Sequence, residues 1–139
     1  MEISDVRKRL LAAIERSKQR AAERRARAED AAKAYSTFID TIGVPIFRQV
    51  ANVLKAEGYP FGVFTPAGSV KLVSDRHPQD SIEILFDASG DRPLVMGHTT
   101  RGRGGRVVES EQPVGDPAAL SETDVLEFLA RELEPFVDR

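Results

Sequence analysis

The stretch Ser69–Asp87, SVKLVSDRHPQDSIEILFD, contains two short segments in which apolar and polar residues alternate. Val70 and Leu72 fall on one face of the first segment, and Ile82 and Ile84 fall on one face of the second. Such alternation is typical of a half-buried β-strand. The polar link between the segments is shorter than the roughly dozen residues that a parallel crossover needs. The two segments are therefore predicted to be antiparallel neighbours in a sheet.

Similar strand-like segments lie on both sides of this stretch, at residues 60–65, 93–100 and 106–114. They are separated by turn signals such as Pro66-Ala67-Gly68, where the chain is expected to reverse. Short links of this kind join strands that are adjacent and antiparallel. We therefore predict a meander of four strands followed by a fifth.

Helical patterns flank the predicted sheet. Gly43-Val44-Pro45 interrupts the first helical pattern, so a new or kinked helix is expected there, ending near Gly58. A last helix is expected from Ser121, which precedes Asp124 by three residues in a near capping box. The predicted fold class is α+β, with a long N-terminal helix, a second helix, an antiparallel five-stranded meander sheet and a C-terminal helix packed on one sheet face. This outline resembles small secretion-chaperone folds in architecture alone, and the resemblance implies no particular function.

The N-terminal region is predicted to form an extended helical arm over residues 1–35, followed by a single α+β domain over residues 36–139. No proline or glycine occurs between Ser4 and Thr41, and Ser4 is the expected N-cap. One apolar stripe runs along this helix. Its candidate helix-pairing residues are Ile3, Val6, Leu10, Ile14, Ala21 and Ala28. Because such a helix would be about 57 Å long, part of it is expected to project or to pair with another chain.

Charge is divided unevenly between the arm and the domain. Residues 1–33 hold ten Lys and Arg against six Asp and Glu, which gives a net charge of about +4. Residues 34–139 hold ten against sixteen, which gives about −6. A basic arm on an acidic body favours contact with an acidic partner or with phosphates.

Arginines recur along one face of the predicted arm. This arginine row consists of Arg9, Arg16, Arg20, Arg24 and Arg27, and the last four are candidates for binding an anion or a partner. A solvated face is the simpler explanation of the row, because arginine outnumbers lysine throughout the chain. An acidic protein and a nucleic acid are the two functional alternatives.

A second basic motif, TRGRGGR, follows the fourth predicted strand. Its candidate anion- or partner-binding residues are Arg101, Arg103 and Arg106, with glycines that allow a tight reversal. Backbone N–H groups in such a turn could also surround an anion. A solvated hairpin loop, an acidic partner and nucleic acid all remain open for this motif.

No set of residues in the chain has the spacing of a known catalytic or metal site. Cysteine is absent, and neither of the two histidines belongs to a recognisable ligand pattern. His98 and Arg101 are close enough in sequence to suggest a small-molecule or catalytic pocket, although a structural histidine is the simpler interpretation. The sequence predicts no cofactor and favours a non-enzymatic protein over an enzyme.

The leading hypothesis is a non-enzymatic adaptor, assembly or chaperone-like protein that binds a protein partner or itself, with a homo-oligomer expected. Its N-terminal helix would mediate the contact. The alternative is a nucleic-acid or polyanion binder that uses the arginine row and the RGRGGR motif. The N-terminus has no apolar run of signal-peptide length, so a soluble, cytoplasmic protein without membrane contact is expected.

Overall fold

The structure is a computed structural model and describes residues 1–138. Its elements follow in the order α1 (Ile3–Phe38), a π-helical turn (Ile39–Gly43), α2 (Val44–Ala56), β1 (Phe61–Phe64), β2 (Val70–Ser74), β3 (Ser81–Asp87), β4 (Leu94–Arg103), β5 (Arg106–Gly115) and α3 (Glu122–Val137). The strands form one sheet in the order β1-β2-β3-β4-β5, with every pair antiparallel. The predicted α+β fold with a five-stranded meander is therefore confirmed.

All the helices contribute to one core on a single face of the sheet, which we call the inner face. Across β2 and β3, Leu72 pairs with Ile82 and Val70 with Ile84, and all four side chains are fully buried. The alternation in the sequence thus places these residues beneath the helices. The helical side of the core is formed by Tyr35, Phe38, Ile39, Ile46, Phe47, Ala51, Val125, Phe128, Leu129, Leu133 and Phe136.

Close approach of α3 to the sheet depends on Gly97 in β4. A Cβ atom at this position would lie 2.6 Å from Phe128 Cε2, closer than carbon atoms normally come. Phe128 is buried directly over this gap in the side-chain layer. Gly97 is therefore required for packing rather than for a turn.

The new helix expected at Gly43-Val44-Pro45 is α2, which begins at Val44 directly after a π-helical turn. The Val44 N–H donates to the carbonyl of Ile39, five residues earlier, so the backbone stays helical into α2. Pro45 has no N–H, and in an α-helix its ring would clash with the carbonyl four residues earlier. The wider turn immediately before Pro45 relieves this conflict while the helical path continues.

The helix ends agree with the sequence only in part. The prediction of Ser4 as the N-cap of α1 is wrong, because α1 begins at Ile3 and its N-cap is Glu2, without a side-chain capping bond. For α3 the capping box is confirmed: Asp124 N–H donates to Ser121 Oγ, and Ser121 N–H donates to Asp124 Oδ2. Within residues 1–138, none of the helices combines the length and the apolar character needed to cross a membrane.

Tyr35 fixes α1 to the rest of the fold. Its ring stacks on Phe86 with centroids 4.9 Å apart, and its hydroxyl donates to the Gly68 carbonyl at 2.5 Å. Burial, together with the nearby carboxylate of Glu83, raises the pKa of Tyr35 to about 12. The last turns of α1 therefore belong to the core, although Tyr35 lies inside the predicted arm of residues 1–35.

Candidate partner-binding surfaces

The N-terminal part of α1 carries a row of exposed apolar side chains. We call Ile3, Val6, Leu10 and Ile14 the arm stripe, and Leu11 lies beside it. Ile3 is 86% exposed, Leu10 is 58% exposed and Ile14 is 49% exposed, although they continue the line that leads to the buried Tyr35. All residues from 1 to 20 are exposed. One apolar face of a single helix is thus covered at one end by its own domain and uncovered at the other.

The other two predicted helix-pairing residues, Ala21 and Ala28, lie against the same chain. Both are half-buried, and they line a shallow surface groove together with residues 88–91 and 93 of the β3–β4 loop. The middle of α1 is therefore partly occupied by the domain itself. Residues 1–20 are the part of α1 in which every residue is exposed, and we call them the projecting part of α1.

The arginine row lies on exposed positions along α1. None of its five members forms an ion pair with another residue of the described chain, 1–138. Arg27 lines a shallow groove with Asp30, Asp91 and Asp116, so that end of the row lies near carboxylates of the domain. Arg9, Arg16 and Arg20 belong to the projecting part of α1.

The three arginines of the RGRGGR motif lie on strands rather than in a loop. β4 extends to Arg103 and β5 begins at Arg106, so the turn consists of Gly104 and Gly105 alone, with φ of 53° and 82°. Positive φ at both central residues is the geometry of a tight two-residue hairpin, which glycine adopts without strain. Arg101 and Arg103 line a groove with Glu134, Pro135 and Asp138 at the C-terminal end of α3.

The two basic motifs lie at opposite ends of the sheet. The arm passes the loop between β3 and β4, whereas the Gly104-Gly105 turn lies at the far end of β4. At about 3.3 Å per residue, β4 separates these two ends by roughly 30 Å. The arginine row and the RGRGGR motif therefore do not form one continuous basic surface.

The second face of the sheet, which we call the outer face, carries a mixed set of apolar and charged side chains. Cross-strand pairing aligns Lys71, Glu83, His98 and Glu111 in one row across four strands. The apolar residues of this face, Val73, Leu85 and Met96, are half-buried and do not belong to the core. Phe64 and Val107, on the two edge strands, are each more than half exposed.

Carboxylates dominate the charge of the outer face. Glu83, Asp87, Glu109 and Glu111 oppose one cation, Lys71, so the net charge is −3 with His98 neutral. Ser69 Oγ donates to Glu83 Oε2 at 2.9 Å and holds that carboxylate in place. Hydrogen bonds from the side chain and backbone of Ser89 lower the pKa of Asp87. The face is therefore both acidic and apolar.

His98 and Arg101 do not form a common pocket, because they lie on opposite faces of β4. His98 is on the outer face, with its Nδ1 4.0 Å from Glu83 Oε1 and its Nε2 3.8 Å from Glu109 Oε1. Arg101 is on the side of α3. Within residues 1–138, no group of three or more His, Asp or Glu side chains is placed to hold a metal ion.

The outer face was not predicted as a surface from the sequence. Alternation within each strand was a sufficient signal for which residues point outward. The register between strands, which aligns Glu83, His98 and Glu111, was not predicted.

Two of these surfaces combine exposed apolar side chains with charge, namely the arm and the outer face. Residues 1–20 hold six Lys and Arg against three Asp and Glu, a net charge of +3, whereas the outer face carries −3.

Comparisons with protein-family models, with curated proteins and with solved structures find no match to this chain.

Proposed function

We propose that this chain is a non-enzymatic assembly module that associates with a second copy of itself through the N-terminal part of α1. The observation that carries this proposal is the exposure of the arm stripe on a helix whose other end is fixed in the core. A contiguous apolar surface on a projecting element is typical of an interaction site. In this proposal the α+β domain is the rigid body that positions the arm.

Burial of the arm stripe would supply a useful part of the association free energy. Fully burying one large aliphatic side chain is worth about 1.5–3 kcal/mol. The arm exposes Ile3, Val6, Leu10, Leu11 and Ile14, so a partner that covers most of them gains several times that amount. Because α1 is already helical and anchored at Tyr35, little conformational entropy would be lost when the arm docks.

Replacing Leu10 with aspartate tests the proposal in the full chain. We expect the wild-type chain to be larger than a monomer by size-exclusion chromatography with light scattering, and Leu10→Asp to raise the dissociation constant at least about tenfold. A charge at this position would be buried without a partner in the assembly. Ala12→Asp is the matched control, because Ala12 is also exposed but lies on the opposite side of α1.

The control separates loss of contact from loss of helix. Both substitutions place an aspartate in the same stretch of α1, so their intrinsic effects on helix stability are similar. Circular dichroism should show equal helix content in the two variants. A monomeric wild-type chain, or equal dissociation constants for Leu10→Asp and Ala12→Asp, would contradict self-association through the arm stripe.

A second candidate function is polyanion binding by the arginine row, and the specific observation in its favour is that these exposed guanidinium groups lack ion pairs within residues 1–138. Replacing Arg16, Arg20, Arg24 and Arg27 with alanine should weaken binding to duplex DNA. If each contacts one phosphate, the slope of log K against log salt should become shallower by about 3–4.

The matched control for this experiment is alanine at Arg101, Arg103 and Arg106, which lie at the other end of the sheet. These substitutions should leave the salt dependence unchanged if the arginine row is the binding site. Absence of binding to DNA and RNA at low salt would rule out this function. If both variants changed the salt dependence of binding equally, the arginine row would not be the specific binding site.

A further inference from the structure

We infer that the arm of one copy packs on the outer face of the sheet of a second copy, in an exchange in which each chain supplies an arm and receives one. This inference rests on the proposed function and names the surface that receives the arm stripe. This contact would join the arm and the outer face, which both present apolar side chains and carry opposite net charges.

Pairing of two arms with each other fits the residues poorly. A helical seam at spacings of four and three through Ile3, Leu10 and Ile14 also contains Arg7, Ser17, Ala21 and Arg24. Two arginines would then lie inside an arm–arm interface. The residues flanking this seam include Lys18, Arg20, Arg25 and Arg27, all of which are basic. Two such helices paired in parallel would bring like charges together over residues 18–27.

The outer face offers the opposite charge and a matching apolar centre. Its net charge of −3 complements the +3 of residues 1–20. Leu85 and Met96 are cross-strand partners near its middle and remain half-buried without a covering helix. A helix on this side would complete a layered arrangement in which both sheet faces are covered. Because both arms carry a net positive charge, electrostatic attraction would steer each arm to the acidic outer face of the other copy rather than to the other arm.

The dimensions of the two surfaces agree. From Ile3 to Ile14 the arm stripe spans about 17 Å at 1.5 Å per residue. The seven residues of β3 span about 23 Å, and the five strands together are about 19 Å wide at 4.8 Å per strand. The outer face can therefore accept the whole arm stripe of one helix.

The arm cannot cover the outer face of its own chain without losing its helical path. The backbone is helical without a break from Ile3 to Ala56, and its later part packs on the inner face. Ala21 and Ala28 already lie beside the loop between β3 and β4. The arm thus leaves the domain on the inner side and at one end of the sheet, so the outer face that it meets belongs to another copy.

Charge reversal on the outer face tests the inference in the full chain. We expect Glu109→Arg with Glu111→Arg to raise the dissociation constant of the assembly at least about tenfold in sedimentation velocity at low salt. Glu57→Arg with Glu127→Arg is the control, because it changes the net charge equally at exposed positions away from the outer face, one directly after α2 and one on α3. The control should change the dissociation constant by less than about twofold.

A mixture of two variants provides the decisive measurement. Arg9→Glu with Arg16→Glu reverses the arm charge, and this chain alone should also fail to associate. When it is mixed with the outer-face variant, the negative arm meets a positive face and the positive arm meets a negative face. Heterodimers should therefore form with a dissociation constant at least about tenfold below that of either variant alone.

The outcomes separate this inference from the proposed function. If the outer-face variant associates like the wild-type chain while Leu10→Asp does not, the arm still mediates assembly but the outer face is not its site. Failure of the mixed variants to associate would likewise overturn the arm–face contact. A wild-type chain that is monomeric would remove the proposed function itself.

Discussion

Gly97→Val is expected to lower the free energy of unfolding by about 3 kcal/mol, at the upper end of the usual cost of overpacking a core. Any side chain at Gly97 would overlap the ring of Phe128, which is only 3% exposed. In a strand without this contact, valine would be preferred to glycine. A large loss of stability would therefore reflect the contact with α3 rather than strand propensity.

A double-mutant cycle assigns the cost to the ring. Gly97→Ala and Phe128→Leu are the milder pair, chosen so that all variants still fold. The cost of Gly97→Ala should fall by about 1 kcal/mol or more when Phe128 is leucine, since the two residues are in contact. Urea unfolding with an unchanged m-value provides the measurement.

Gly90→Ala is the control for this cycle. An added Cβ at Gly90 meets nothing within 4 Å, so alanine there should change the free energy of unfolding by less than about 0.5 kcal/mol. If Gly97→Val proved as mild as Gly90→Ala, or if the cycle showed strict additivity, the close approach of α3 to β4 would not be a stabilising feature of the fold.

The residues that were read correctly from sequence are those whose structure is decided locally. Val70, Leu72, Ile82 and Ile84 alternate and lie in the core, because alternation directly selects one face of a strand. Ser121 and Asp124 form the predicted capping box, since both partners belong to the same turn. Short links likewise predicted the antiparallel order.

Features that depend on distant residues could not be read in the same way. Nothing near Gly97 in sequence indicates that Phe128 will lie above it. His98 and Arg101 appeared to be neighbours, yet strand alternation places them on opposite faces once β4 is known to extend to Arg103. Assigning these faces requires knowing where β4 ends. The sequence does not show this end, because the glycines of RGRGGR are also typical of a loop.

The candidate surfaces show the same division. The arm stripe follows from helical periodicity alone, so its residues were identified from the sequence. How much of it the domain covers depends on where the loop between β3 and β4 lies, and this loop reaches only as far as Ala21. The acidic outer face depends on the register of four strands, which local patterns do not encode.

Asp80→Ala is expected to cost about 2–3 kcal/mol of unfolding free energy, because it removes a buried hydrogen-bond acceptor. Asp80 is only 2% exposed, and its Oδ1 accepts a hydrogen bond from the Gly102 N–H at 3.0 Å. This bond joins the link between β2 and β3 to β4 close to the Gly104-Gly105 turn. Without it, the Gly102 N–H would lose a charged partner, and hydrogen bonds to charged groups contribute about 1.5–3 kcal/mol.

The location of the loss distinguishes this role from a general effect of removing charge. Hydrogen exchange at residues 101–108 should accelerate in Asp80→Ala more than exchange in α3, since the hairpin would lose its attachment first. Asp80→Asn keeps the shape and one acceptor oxygen, so it should cost about half as much. Asp75→Ala removes an exposed carboxylate from the same link and should stay within about 0.5 kcal/mol of the wild-type chain. If Asp80→Ala matched Asp75→Ala in stability and in hairpin exchange, the buried carboxylate would not be what attaches the end of β4 to the link between β2 and β3.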